Sequence, residues 1–254
     1  MDPARTALIA AAGFAAGGMN AMAGGGSFVT LPALIAAGLP SVTANTSSTV
    51  ALFPSGVTTA WTYWAGAGRG SPSPMPIRAM TAVTVVGGLI GSVVLLATPS
   101  HAFDRILPWL LLAATLALWL GPRYAEAIRG RMKSDRAALL GGQFLIGVYG
   151  GYFGGAMGIM MLAYWSLIVG GELKAFQAPR TLLNISANVA AVAWFVGARA
   201  VDWRAVLIMA PAAVAGAWLG VVAGKRAPPI AIRVATIALA AFVTVAFFVR
   251  AYAP

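Results

Sequence analysis

Residues 17–32 read GGMNAMAGGGSFVTLP: an apolar stretch reaches Gly24-Gly25-Gly26-Ser27, breaks, and resumes as FVTLPALIAAGLP. The break decides the fold because the chain makes it twice. A second apolar stretch breaks at Gly154-Gly155-Ala156-Met157-Gly158 and resumes as IMMLAYWSLIVGG. Each break is followed by a polar-flecked helix, ANTSSTVALFPSGVTTAW over 44–61 and APRTLLNISANVAAVAWF over 178–195. Hydrophobic segments interrupted by glycine at matching places in two halves point to the binding site of a transporter.

Working outward, the whole chain has the composition of a membrane. Its 254 residues are 60% hydrophobic and only 9% charged, with a mean hydropathy of +0.84. Apolar runs long enough to span recur from end to end, so everything belongs to one membrane domain. The net charge of +11 does not indicate nucleic acid, because the basic residues sit in short loops, where positive charge orients a membrane protein. There are no cysteines, which excludes a disulfide framework, a thiolate metal site and thiol exchange. The lone histidine, His101, excludes a multi-histidine metal centre. No cofactor is expected. The run 8–22 is read as mature structure rather than as a signal peptide, because it pairs with an internal copy.

Ordinary spans are expected at about 45–65, 77–98, 105–121, 178–198, 204–223 and 231–250. The segments 6–38 and 137–170 are too long for one span and short for two. A pair of short helices meeting inside the membrane, or a long-short hairpin, fits them. Backbone freed by the glycines cannot face lipid and must be buried or line a wet cavity. The fold class is therefore an all-α polytopic membrane protein of two halves, 1–121 and 137–254, joined by a linker at 122–136. Each half has one Gly-broken segment, re-entrant or half-helical, plus three transmembrane helices. An odd number of crossings per half makes the repeat inverted. The linker, with Arg123, Arg129, Arg131, Lys133 and Arg136, is placed in the cytoplasm, which puts 12 of the 17 basic residues inside.

The pattern GG-x-N-x-x-x-GGGS-x-x-x-x-P (Gly17 to Pro32), then A-N-T-S-S (Ala44 to Ser48), then G-x-YGGYFGG-x-MGI-MM (Gly147 to Met161), resembles the TauE/SafE sulfite exporter family, also called the TSUP permeases. The similarity covers almost the whole chain. It implies export or exchange of small sulfur oxyanions and organosulfonates, such as sulfite or sulfoacetate, across a bacterial inner membrane. Ala163 stands where the first half has Pro32, and Met157 where it has Gly26, so the two half-sites are not equivalent.

The residues themselves suggest how an anion is held. A helix restarting after the first break presents free backbone N–H groups and the positive end of its dipole. These are the N–H groups of about residues 25–28, which include Gly25, Gly26, Ser27 and Phe28. A second helix restarting around Ala156, Met157 and Gly158 faces them. Two such ends hold a small anion without a buried lysine; the competing reading is close helix packing through small residues. Ser27 is placed either to cap its helix or to offer its hydroxyl. Thr46 and Ser47 supply hydroxyls, with capping as the alternative. Arg180, Asn184 and Asn188 are spaced i, i+4, i+8 along one helix face. Arg180 offers a planar fork of donors suited to an oxyanion, against a plain positive-inside arginine. For Asn184 and Asn188 the rival role is glue between helices. Asn20 stands one turn before the first break. Tyr149, Tyr152, Phe153, Tyr164 and Trp165 flank the second break as cavity wall, gate or packing. No acid falls within a span, so a buried carboxylate relay is not expected.

These features favour a secondary transporter, not an enzyme, exporting a small sulfur-containing anion by alternating access. The alternatives left open are an anion channel, a carrier of other small organic anions such as carboxylates, and a membrane subunit of a larger complex. The expected partners are the small anion and the lipid bilayer, with a homodimer left open and nucleic acid excluded.

Overall fold

The computed structural model describes residues 2–22, 24–66, 76–128, 135–169, 176–224 and 228–252. Every element among them is an α-helix. The first half holds α1 (Pro3–Met22), α2 (Ser27–Ala36), α3 (Ser41–Gly66), α4 (Ile77–Ala97) and α5 (Ser100–Ile128). The second holds α6 (Arg136–Phe153), α7 (Met157–Ile168), α8 (Gln177–Gly197), α9 (Trp203–Gly224) and α10 (Pro229–Tyr252). Helices α4, α5, α9 and α10 are long and apolar enough to cross a membrane. Helices α3 and α8 have the length, but their polar runs lower their hydropathy. Helix α5 does not stop near 121; it continues to Ile128, into the segment read as linker.

Both Gly-broken segments are long-short hairpins. Helix α1 has 20 residues and α2 has 10; α6 has 18 and α7 has 12. A methyl on Gly38, just past α2, would lie 3.7 Å from the Arg5 guanidinium near the start of α1. The hairpin's two ends thus lie side by side. In the second hairpin the Tyr164 hydroxyl of α7 donates to Ala138 O at the start of α6. Both turns need left-handed backbone. Gly24 and Gly25 have φ +82° and +88°, and Gly154 has φ +75°, values that glycine adopts without a Cβ penalty. Ala156 adopts φ +60° despite its methyl.

Glycines also fix how the halves fit together. The most extensive helix pairs are α1 with α9 and α4 with α6, and each pair crosses between halves. A methyl on Gly17 would lie 1.9 Å from Ala213 O, and one on Gly216 would lie 1.9 Å from Phe14 O. On the other seam, a methyl on Gly91 would lie 2.0 Å from Val148 O and one on Gly151 would lie 1.9 Å from Gly88 O. Backbone therefore touches backbone, the close approach that small residues allow in membranes.

Helix α3 runs antiparallel to α8, and α5 to α10, where they meet. Thr46 near the start of α3 donates to Ala200 O just past α8, and Ser47 Oγ accepts from Asp202 N–H at 2.9 Å. Tyr252 at the end of α10 donates to Arg105 O near the start of α5 (3.0 Å), while Arg233 reaches Trp119 O at the far end (3.3 Å). Trp61, Trp109, Trp119, Trp203 and Tyr252 are exposed, as an aromatic belt requires.

Candidate functional site

The tips of the two hairpins meet: a methyl on Gly24 would lie 3.7 Å from Ile159 on α7. Beside them is a cavity of about 70 Å³, room for about five water-sized groups or one small anion. Helix α3 lines it through Thr49, Leu52, Phe53, Gly56 and Thr59, and α8 through Arg180, Thr181, Asn184, Ile185 and Asn188. Both sets recur at helical spacing, so each helix turns one face to the cavity.

Nine of the residues singled out by sequence lie together here: Asn20, Gly25 and Ser27 from the first break, Ala156, Met157 and Gly158 from the second, and Arg180, Asn184 and Asn188 from α8. Four do not. Gly26 packs against Ala16 O, where a methyl would approach to 2.7 Å. Phe28 is fully buried in the apolar core. Thr46 and Ser47 spend their hydroxyls on the α8–α9 connection, outside the cavity. The hydroxyl that α3 turns to the cavity is Thr49, with Thr59 further along. From sequence, Thr49 is one of a run of five polar residues, 45–49, with nothing to set it apart, and only the i, i+10 placement of Thr49 and Thr59 on the face of Gly56 singles them out.

The N–H arithmetic is also narrower than expected. Gly26 N–H is taken by Asn20 Oδ1 (3.3 Å), and Phe28 N–H by Gly25 O (3.0 Å). Ile159 N–H is taken by Ala156 O (2.9 Å). The first N–H groups of the two restarting helices, on Ser27, Met157 and Gly158, have no backbone partner among the described residues, as helix starts dictate. Ser27 does not cap α2; the cap position is Gly26, with no side-chain cap bond. The aromatics around the second break do not wall the cavity either. Tyr149 stacks edge-on with Phe153, Tyr152 leans on Phe103, and Trp165 meets Phe176 edge-on.

Hydrogen bonds orient the amides. Asn20 Oδ1 is occupied by Gly26 N–H, and Asn184 Oδ1 accepts from Asn188 Nδ2 (3.3 Å). Each amide then offers its NH2 end. Arg180 lays its aliphatic stem on Gly158: a methyl there would sit 3.3 Å from Cδ. That places the guanidinium beside the start of α7. Arg180 is the one charged residue among the described lining residues. The site is rich in donors and carries positive charge, the chemistry that favours an oxyanion.

A cavity between α1, α3, α7 and α8 with polar groups in its wall, together with four helices among the described residues long and apolar enough to span, defines a multi-pass membrane transporter. The chain belongs to the sulfite exporter TauE/SafE family, whose description matches residues 9–247. It is 32% identical over 222 residues to the probable membrane transporter protein ORF9 of a Sinorhizobium species, covering 87% of this chain and 82% of that one. A probable membrane transporter protein of Haemophilus influenzae is 27% identical over 84% of this chain and 83% of its own. The probable membrane transporter protein YfcA of Escherichia coli is 29% identical over 83% of this chain and 76% of its own. No solved structure matches the chain. Family and relatives alike mark a transporter rather than an enzyme.

Proposed function

We propose that the chain is a secondary transporter that exports a small sulfur-containing anion, sulfite or an organosulfonate, across a bacterial inner membrane. The observation that carries the anion is the donor set: Arg180, the amide ends of Asn20 and Asn184, Ser27, and two helix starts around one cavity. The family description supplies the sulfur. Among the described lining residues no Asp, Glu, His or Lys is present, so any proton carried travels on a weakly acidic substrate. The inside-negative potential itself drives an anion outward at about 2.3 kcal/mol per charge per 100 mV.

The repeat is read as inverted. The antiparallel runs of α3 with α8 and of α5 with α10 support that, as do the exchanged pairs α1–α9 and α4–α6. Alternating access follows from the same arrangement. The Thr46 and Ser47 bonds close one end of the α3–α8 cleft. The cavity extends from Thr49 to Thr59, about 15 Å toward the other end. With the arginine-rich linker inside, that other end faces the cytoplasm.

The test is exchange in liposomes holding the purified protein alone. Sulfite or sulfoacetate on the far side should accelerate efflux of labelled sulfite, whereas acetate and lactate should not. Stimulation by carboxylates alone would sink the substrate. Flux insensitive to the far-side anion would point to a channel.

A further inference from the structure

One buried acceptor is used by nothing described so far. Asn45 of α3 is 1% exposed, and its Nδ2 donates to Tyr152 O at 3.0 Å. Its Oδ1 is buried and has no hydrogen-bond partner among the described residues. An unsatisfied buried acceptor is costly, so a native one calls for a partner, and the groups around it decide which. The side chain is anchored at the carbonyl end of α6. That helix stops at Phe153 with Gly154 left-handed, leaving the carbonyls of its last turn without intrahelical partners. A third oxygen stands close by. A methyl on Gly154 would lie 3.0 Å from Thr49 Oγ1 and 3.7 Å from Gly150 O. The Thr49 proton goes to Asn45 O (3.0 Å), so its lone pairs face outward. Thr49 and Gly154 both line the cavity, which gives an ion a path in.

We propose that Asn45 Oδ1, Thr49 Oγ1 and the terminal carbonyls of α6 bind a sodium ion. The ligands are all neutral oxygens at the negative end of a helix dipole, where a cation is favoured. Calcium and magnesium draw on carboxylates, and none stands among the described residues lining the cavity. A proton finds no titratable host among these groups. The ion sits against the anion cavity, where its charge favours a bound anion. Only that last step rests on the anion reading above.

The experiment is thermal unfolding of the purified full chain in detergent, without sulfur anions, as sodium chloride replaces potassium or choline chloride at constant ionic strength. Sodium alone should stabilise, saturably, as a ligand of the folded state does. N45L and T49V should each raise the half-saturating sodium concentration by about tenfold or more. If N45L fails to fold, N45D keeps the shape and adds a charge, and should lower that concentration. Equal stabilisation by sodium, potassium and choline would overturn the site, as would wild-type sodium dependence in T49V and N45L. A parallel series with sulfite in choline chloride separates the two ideas. Stabilisation by sulfite without a sodium response removes the sodium site and leaves the exporter. A sodium response with no effect of any sulfur anion keeps the site and removes the exporter.

Discussion

At position 180 the side chain does two things: its stem packs on Gly158 and its charge is the one fixed charge of the described cavity lining. Arg180→Ala should weaken anion binding by about 10- to 100-fold, since a charge-assisted hydrogen bond contributes ~1.5–3 kcal/mol. Arg180→Lys should recover part of it, because the charge stays and the planar fork goes. Titration of a sulfur anion by thermal shift checks both. Glycines separate in the same way. A methyl on Gly56 meets nothing within 4 Å, so Gly56→Ala should fold normally and discriminate against larger organosulfonates relative to sulfite in the exchange assay. A methyl on Gly91 meets Val148 O at 2.0 Å, so Gly91→Ala should cost about 2 kcal/mol or more through overpacking, read as a lower unfolding temperature. The sequence identified the breaks and the Arg180, Asn184, Asn188 face, because repetition and i+4 spacing are visible in one dimension. It did not separate Thr46 and Ser47 from Thr49. In a run of five hydroxyl and amide residues, each step turns the side chain by about 100°, and what waits on each side is decided by α8 and α9.

Among the elements, the second hairpin is braced onto α4 by a chain of side-chain hydrogen bonds. Trp165 of α7 donates to Gln143 Oε1 of α6 (3.0 Å), and Gln143 Nε2 donates to Thr84 Oγ1 of α4 (2.8 Å). All three residues are buried. Gln143→Leu should leave the Trp165 and Thr84 groups without their partner, lowering stability by about 2 kcal/mol and loosening α7; limited proteolysis and the unfolding temperature report both. The long-short character of the hairpins was legible from segment lengths, since 33 residues are wrong for one span or two. That α5 runs on to Ile128 was not. Its last turns are polar, and hydropathy marks where lipid ends rather than where a helix does. The aromatics around the second break were equally open on sequence alone, because a ring that packs and a ring that gates have the same composition.

For the whole molecule, the cysteine-free sequence permits a direct topology test. Single cysteines placed in the 122–136 segment and at the C-terminus should label from opposite sides of the membrane in cells, the linker from the cytoplasm. Labelling from one side would break the inverted reading. The two broken hairpins were legible because the glycine pattern repeats; which helix seeks which partner was not, since backbone seams such as Gly17 on Ala213 and Gly88 on Gly151 arise only in three dimensions. Those seams carry a consequence for how such a protein is assembled and inherited. Each hairpin's closest neighbour belongs to the other half, so the sequence repeat is not a self-sufficient body. Severed at the linker, the two pieces are clasped like linked hands: neither holds its shape alone, and the two made together should find each other. The packed units are then composites, each pairing a hairpin from one stretch of the sequence with a helix from the other. A change on one side of a seam is felt first by its partner across it.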